Sequence, residues 1–328
     1  MLFFNLMIMG TLISISAYNW FSMWMGLEIN LLSIIPLFKS NKSVYPVEAS
    51  LKYFITQTLA SILILFSIIF LMTNNEFLNN YNYFLMMGMN SALLTKLGAA
   101  PFHSWFPEVS EGLNWINNLI LLTWQKIAPS ILLMYNINTT YFIMIIIFCS
   151  LIGGIYGINQ ISLRKILVYS SINHISWMLS SMFFFKTIWM TYFMIYSIIN
   201  TNIIFIFKFL NIYYLQQLMM IFNYNKFIKL IYMMNFLSLG GLPPSLGFYP
   251  KWLVLNMLIN NNFYTLSLIM VMFTLLTLFF YIRIMMFSLT LTMTENFFIF
   301  KMNFKNLFIL NSFILMSLPI SLNLFNLL

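Results

Sequence analysis

The sequence predicts an all-α protein that crosses a lipid bilayer many times. Three observations carry that prediction: too little polar surface for water, apolar runs long enough to span hydrocarbon, and basic residues gathered in alternate loops. Hydrophobic residues make up 62% of the 328 and charged residues 6%, which leaves too few polar groups to cover a water-soluble globule of this size. A hydrocarbon core of about 30 Å takes roughly 20 apolar residues per helix. Such stretches follow one another almost end to end.

Reading apolar runs against polar breaks gives about eleven spans. The first five fall near 3–18, 22–38, 49–72, 83–103 and 112–135. The next six fall near 141–159, 166–184, 187–211, 230–260, 264–289 and 307–327. The ninth is too long for one straight helix and is expected to be broken or tilted. Lys39 and Lys42, Arg164 and Lys165, Lys226 and Lys229, and Lys301 and Lys305 occupy alternate loops, whereas the opposite loops carry only Lys186. The positive-inside rule then puts the N-terminus on the cytoplasmic or equivalent organellar side and the C-terminus across the membrane.

Several classes are excluded. The segment from Leu2 to Tyr18 has neither a basic leader nor a small-residue cleavage site, so no removable signal is expected. Cys149 is the single cysteine, which rules out intrachain disulfides and thiolate-held clusters. The net charge of +9 is scattered singly along the chain, a membrane-topology pattern and not a nucleic-acid stripe. No dinucleotide fingerprint, P-loop or paired-cysteine motif occurs, so any redox cofactor belongs to another chain. Abundant Phe, Met, Ile and Asn with no Asp suggest an A- and T-rich, organellar genome.

Two segments resemble each other. Leu97-Gly98-Ala99-Ala100-Pro101 leads to Trp105-Phe106-Pro107, and Leu239-Gly240-Gly241-Leu242-Pro243 leads to Phe248-Tyr249-Pro250. They open breaks in the fourth and ninth spans, and an odd offset of five spans turns one copy upside down relative to the other. The expectation is a pair of inverted five-helix repeats, 1–135 and 136–290, each with a broken helix, followed by a loop and C-terminal helix over 291–328. Gly98, Pro101, Gly240, Gly241 and Pro243 interrupt the helix ladder, which at membrane depth is tolerated where the freed backbone lines a cavity or is buried in protein. Paired interruptions in corresponding positions point to a transport pathway, and an ordinary proline kink is the plainer reading of either one alone. Gly153 and Gly157 add a spacing suited to close helix approach.

Four ionisable residues interrupt apolar spans: Glu28, Lys96, Lys126 and Lys251. An unpaired charge at a helix centre costs about 2.5–3.5 kcal/mol or more, so these groups are expected to face a hydrated interior and one another, Glu28 with a lysine. Snorkelling to the headgroups is the alternative, and it suits Lys52, Lys208 and Arg283. Burial disfavours a charged lysine and a nearby carboxylate favours it, so a moving carboxylate toggles a proton. Lifting that proton against a membrane potential takes about 2.3 kcal/mol per 100 mV. His174, among Ser170, Ser171 and Asn173, and His103 after the first break can relay protons near neutral pH or serve as packed, hydrogen-bonded histidines. Glu108 and Glu111 read as loop residues facing solvent or the interface, and no metal-ligand grouping is apparent.

The runs WMGLEIN (Trp24 to Asn30), EASLKYF (Glu48 to Phe54), AAPFHSWF (Ala99 to Phe106), TWQKIAP (Thr123 to Pro129), SLRK (Ser162 to Lys165), SSINHISW (Ser170 to Trp177) and Asn235 to Trp252 give a whole-length resemblance. The family is that of the antiporter-like membrane subunits of respiratory complex I, in its mitochondrially encoded, insect-like form. The resemblance implies a mitochondrial inner-membrane subunit that contributes a proton channel coupled to electron transfer from NADH to ubiquinone. By position Glu28 looks like the family's coupling glutamate, Lys96 its partner on the first broken helix, Lys126 the central relay and Lys251 the lysine on the second broken helix. Flavin, iron–sulfur clusters, NADH and ubiquinone are then expected on other subunits. The implied partners are the other membrane-arm subunits, including neighbouring antiporter-like ones, and bound phospholipid, with no nucleic acid. Longer bacterial relatives of the family begin with about three more helices, which this chain resembles the animal forms in lacking. A free-standing cation/proton exchanger and a structural membrane scaffold are the rival readings; the scaffold leaves the four buried charges unexplained.

Overall fold

In the computed structural model the described residues are 1–38, 44–73, 79–222, 226–243 and 245–290, so Lys39, Lys42, Lys301, Lys305 and the span expected at 307–327 lie outside them. The ordered elements among them are helices: α1 (Leu2–Ser16), α2 (Trp20–Phe38), α3 (Tyr45–Thr73), α4 (Asn79–Leu97), α5 (Trp105–Gly112), α6 (Trp115–Leu122) and α7 (Trp124–Leu133) come first. They are followed by α8 (Thr139–Ile158), α9 (Leu163–Met182), α10 (Lys186–Leu210), α11 (Leu215–Phe222), α12 (Lys226–Gly240), α13 (Phe248–Asn260) and α14 (Tyr264–Thr290). A lone antiparallel bridge joins Ser162 to Tyr214. By length and composition, five helices suffice to cross a membrane: α2, α3, α8, α10 and Tyr264–Met286 of α14. The chain is an all-helical, multi-pass membrane protein.

The stretch expected as one helix over 112–135 is instead α6 and α7, parted at Thr123, whose backbone is bent to φ −115°, ψ −71°. Pro129 stands further on, inside α7, and the carbonyl it cannot donate to is that of Gln125, after the bend. Lys126 therefore stands in the first turn after an interruption, not deep within a continuous span. Glu108 and Glu111 lie on α5 and not in a loop. The short helix α11 falls where the sequence suggested only a connection.

The chain forms two compact units, Met1–Phe148 and Cys149–Leu328. In the first, α1 lies against α2 backbone to backbone. A Cβ on Gly26 would sit 2.5 Å from the backbone nitrogen of Ser14, and one on Gly10 would sit 2.8 Å from that of Asn30. No rotamer relieves such contacts, so Gly26→Ala is expected to part the two helices and cost about 1–3 kcal/mol. Gly88 of α4 has no neighbour within 4 Å of a Cβ position, so Gly88→Ala should hold or gain stability through helix propensity. Thermal midpoints of the solubilised protein separate the two variants. Buried amides and indoles tie the other helices: Trp24 Nε1 donates to Ser61 O at 3.0 Å, Asn117 Nδ2 to Leu37 O at 3.0 Å and Asn90 Nδ2 to Asn136 O at 2.8 Å.

In the second unit α9 is buried all round, every residue from Ile166 to Met182 included. Its core position explains how seven Ser, Asn and His residues between 170 and 181 fit a membrane helix: they face protein, not lipid. Gly153 admits the α9 backbone, a Cβ there falling 2.8 Å from Asn173 N, while Gly157 admits Phe280 of α14 at 2.7 Å. The glycine spacing in α8 thus serves two partner helices and not one seam. Asn173 Nδ2 donates to Thr277 Oγ1 at 3.2 Å, joining α9 to α14. Arg283, assigned to snorkelling by its sequence position, instead donates from Nη1 to Ile158 O at 2.7 Å and so covers a terminal carbonyl of α8.

Candidate functional site

Both repeated motifs leave the helical path at a glycine with positive φ, Gly98 at 73° and Gly241 at 75°, a conformation costly for any residue with a Cβ. After Gly98 the chain runs outside helix to Ser104, with a cis peptide at Ala100-Pro101, and resumes as α5. Trp105 Nε1 donates to Thr95 O at 3.1 Å, so the indole of the new helix covers a carbonyl exposed at the end of the old one. Tyr53 packs edge-on against both Trp105 and Phe38, at 5.7 and 5.3 Å between centroids.

Lys96 occupies the last turn of α4 and is buried, 7% exposed. It lines a cavity of about 10 Å³ together with Asn30, Tyr53, Gln57 and Gln125, room for a single water. Gln57 Nε2 is buried there without a hydrogen-bond partner among the described residues. Glu28 is half-buried on α2, and its carboxylate acts on Lys96 through space. The two are not in ion-pair contact in this structure, in contrast to the close pair expected from sequence. The cavity wall opposite is a hydrogen-bonded knot: Asn30 Nδ2 donates to Gln125 Oε1 at 3.1 Å, Gln125 Nε2 donates to Asn30 Oδ1 at 3.0 Å, and Tyr53 Oη donates to Gln125 Oε1 at 3.2 Å. Lys126, next in the chain after Gln125 and 2% exposed, lies over the Phe106 ring with Nζ 5.7 Å from the centroid.

Lys251 lies beyond the second break, on the first turn of α13, and reaches back across it. Its Nζ donates to Gly240 O at 2.9 Å and Leu239 O at 3.4 Å, and stands 5.9 Å from the Trp177 ring centre. The cation meets the negative end of α12, where terminal carbonyls lack helical partners. It is 7% exposed, so backbone carbonyls and an aromatic face stand in for water around it.

His174, 6% exposed, is hydrogen-bonded through Nδ1 to Tyr192 Oη at 2.8 Å. His103 is half-buried with Nδ1 3.2 Å from Pro101 O. Lys52, another residue suited to snorkelling, is instead paired with Glu48 and Glu108 at 3.0 Å each. At this exposure such pairs add little energy; the one to Glu108 joins α3 to α5. No group of three or more His, Cys, Asp or Glu occurs among the described residues. Lys96 and Lys126 thus fall in the first unit and Lys251 and His174 in the second. Sequence reasoning missed Asn30, Tyr53, Gln57 and Gln125, although Asn30, Tyr53 and Gln125 sit inside quoted motifs; uncharged polar residues in apolar runs were the available signal.

Residues 17–277 match the family described as NADH:quinone oxidoreductase/Mrp antiporter, TM. A relative from Anopheles gambiae named NADH-ubiquinone oxidoreductase chain 2 is 48% identical over 307 residues, 93% of this chain and 90% of that one. The protein of the same name from Locusta migratoria is 46% identical over 298 residues, 90% and 87% of the two chains. In fold the chain is similar to one in respiratory complex I from Thermus thermophilus, with TM-score 0.84 at 19% identity over 97% of this chain and 79% of that one. It is also similar to one in the Mrp complex from Dietzia sp. DQ12-45-1b, with TM-score 0.73 at 16% identity over 89% and 60%. Motif-length matches, high identity to insect proteins and a shared helical fold converge, and the chain belongs to the NADH:quinone oxidoreductase/Mrp antiporter membrane family.

Proposed function

We infer that this chain is a core membrane-arm subunit of a mitochondrial NADH:ubiquinone oxidoreductase and contributes a proton channel driven by electron transfer elsewhere in the assembly. The 48% identity to the Anopheles protein over 93% of the chain carries this reading. Flavin, iron–sulfur clusters, NADH and ubiquinone belong to other subunits, and the partners are the neighbouring membrane-arm subunits and phospholipid. The membrane is the mitochondrial inner one, with the N-terminus on the matrix side and the C-terminus on the intermembrane-space side, as the loop lysines favour. Eleven spans then comprise inverted repeats over 1–135 and 136–290 and a C-terminal helix within 291–328.

Protons pass by way of Lys96, Lys126 and Lys251, with His174 and His103 as side relays. Glu28, half-buried and within electrostatic reach of Lys96, stabilises the Lys96 ammonium when near and releases its proton when withdrawn. Gly98, Pro101, Gly240, Gly241 and Pro243 form the breaks, and the second of them brings the carbonyls of Leu239 and Gly240 to Lys251. Gentle solubilisation of the source membrane, a native gel stained for NADH oxidation and mass spectrometry of its bands test the assignment. The chain is expected in a large NADH-oxidising band; finding it only small and alone would favour an independent exchanger.

A further inference from the structure

We propose that Gln125 is a positioning residue that acts as a proton gate: its carboxamide, held by Asn30 and Tyr53, closes the path from the Lys96 cavity to Lys126. The inference rests on the proton-channel reading above. Lys96 lines the cavity, and Lys126 is not among the residues that do. Gln125 lines the cavity with Lys96 and directly precedes Lys126 in the chain, and its Oε1 accepts from both Asn30 Nδ2 and Tyr53 Oη, which fills its two lone pairs. Its amide nitrogen is bound to Asn30 Oδ1 and, as a donor only, cannot take up a proton. All three side chains are buried, at 4% exposure for Asn30, 3% for Tyr53 and 8% for Gln125, so no bulk water competes for the pair. While the knot is tied, a proton leaving Lys96 can reach the cavity and stop there.

The geometry also links the gate to the control residue. Asn30 stands on α2 two positions after Glu28, and Gln125 directly precedes Lys126. A displacement of α2 that moves Glu28 relative to Lys96 draws Asn30 from Gln125 in the same motion. Gln125, freed, exposes one acceptor lone pair and one additional donor to a chain of water running on to Lys126. The proton moves from Lys96 Nζ to Lys126 Nζ with no bond formed to the carboxamide.

The whole NADH-oxidising assembly carrying variant chains, reconstituted in liposomes, tests this by two readouts: proton leak under an imposed potassium–valinomycin potential without NADH, and protons moved per NADH. Gln125→Ala is expected to raise the leak about tenfold, the opening that follows from losing hydrogen bonds worth about 1.4 kcal/mol, and to lower protons per NADH. Adding Lys96→Met to Gln125→Ala should remove the leak. A tight membrane and normal proton yield in Gln125→Ala, with pumping abolished in Lys96→Met alone, overturns the gate and spares the channel reading. Undiminished pumping in Lys96→Met overturns the channel reading itself. If Gln125→Ala does not assemble, Tyr53→Phe decides, because it keeps the ring against Phe38 and Trp105 and removes one bond: a smaller leak supports the gate and wild-type tightness sinks it.

Discussion

Lys96→Met is expected to abolish proton transfer through this chain while the assembly forms normally. Methionine is close to lysine in length, flexible and apolar, so it can occupy the space of a side chain that is 7% exposed. It removes a charge whose burial in a membrane helix costs about 2.5–3.5 kcal/mol, and stability should therefore hold or rise. What disappears is the one basic side chain among the described residues that line that cavity. Quinone-linked proton pumping by the assembled variant is the measurement, and a wild-type yield would mean that protons take another route.

Gly241→Ala is expected to have the second largest effect, through one backbone cost and one coupled to Lys251. At φ 75° a Cβ costs about 1–2 kcal/mol. The same Cβ would lie 2.8 Å from Lys251 Cδ and 3.0 Å from its Nζ, so the ammonium must leave the carbonyls of Gly240 and Leu239. Pumping should fall with partial loss of assembly. A double-mutant cycle with Lys251→Met separates the contributions: in the methionine background the flexible thioether can yield, and Gly241→Ala should then cost little beyond its backbone strain. Equal costs in both backgrounds would show that the glycine serves the turn alone and does not shape the seat of Lys251.

Much of the helical layout was legible because hydropathy runs and backbone breakers are local signals. Leu97-Gly98 and Gly240-Gly241 mark the two departures from helix directly, since only glycine takes their φ without strain. The interruption at Thr123 was not legible because no glycine or proline falls between Trp115 and Ala128 to mark it. The buried charges stood out by residue type alone, but their surroundings did not. The Asn30–Gln125 pair spans 95 positions of sequence and the Arg283 contact with Ile158 spans 125. Nothing local distinguishes such amides from lipid-tolerated polar residues, and only the packing of α2, α3 and α7 brings them together. Glu28 shows the converse: its type announced a partner, yet its distance from Lys96 depends on how α2 sits, which no motif encodes.

The glycine contact between α1 and α2 has a mechanical side. Where Gly10 and Gly26 bring the two main chains together, no side chain lies between them to absorb a shift, so the two helices are expected to tilt as one stiff ridge. On α1, Leu6, Met9 and Leu12 are each more than 40% exposed. A load carried by those residues, from acyl chain or neighbouring protein, would reach Gly10 and through it the main chain of Asn30, two positions from Glu28, so that α1 would work as a lever on the strip that holds the carboxylate.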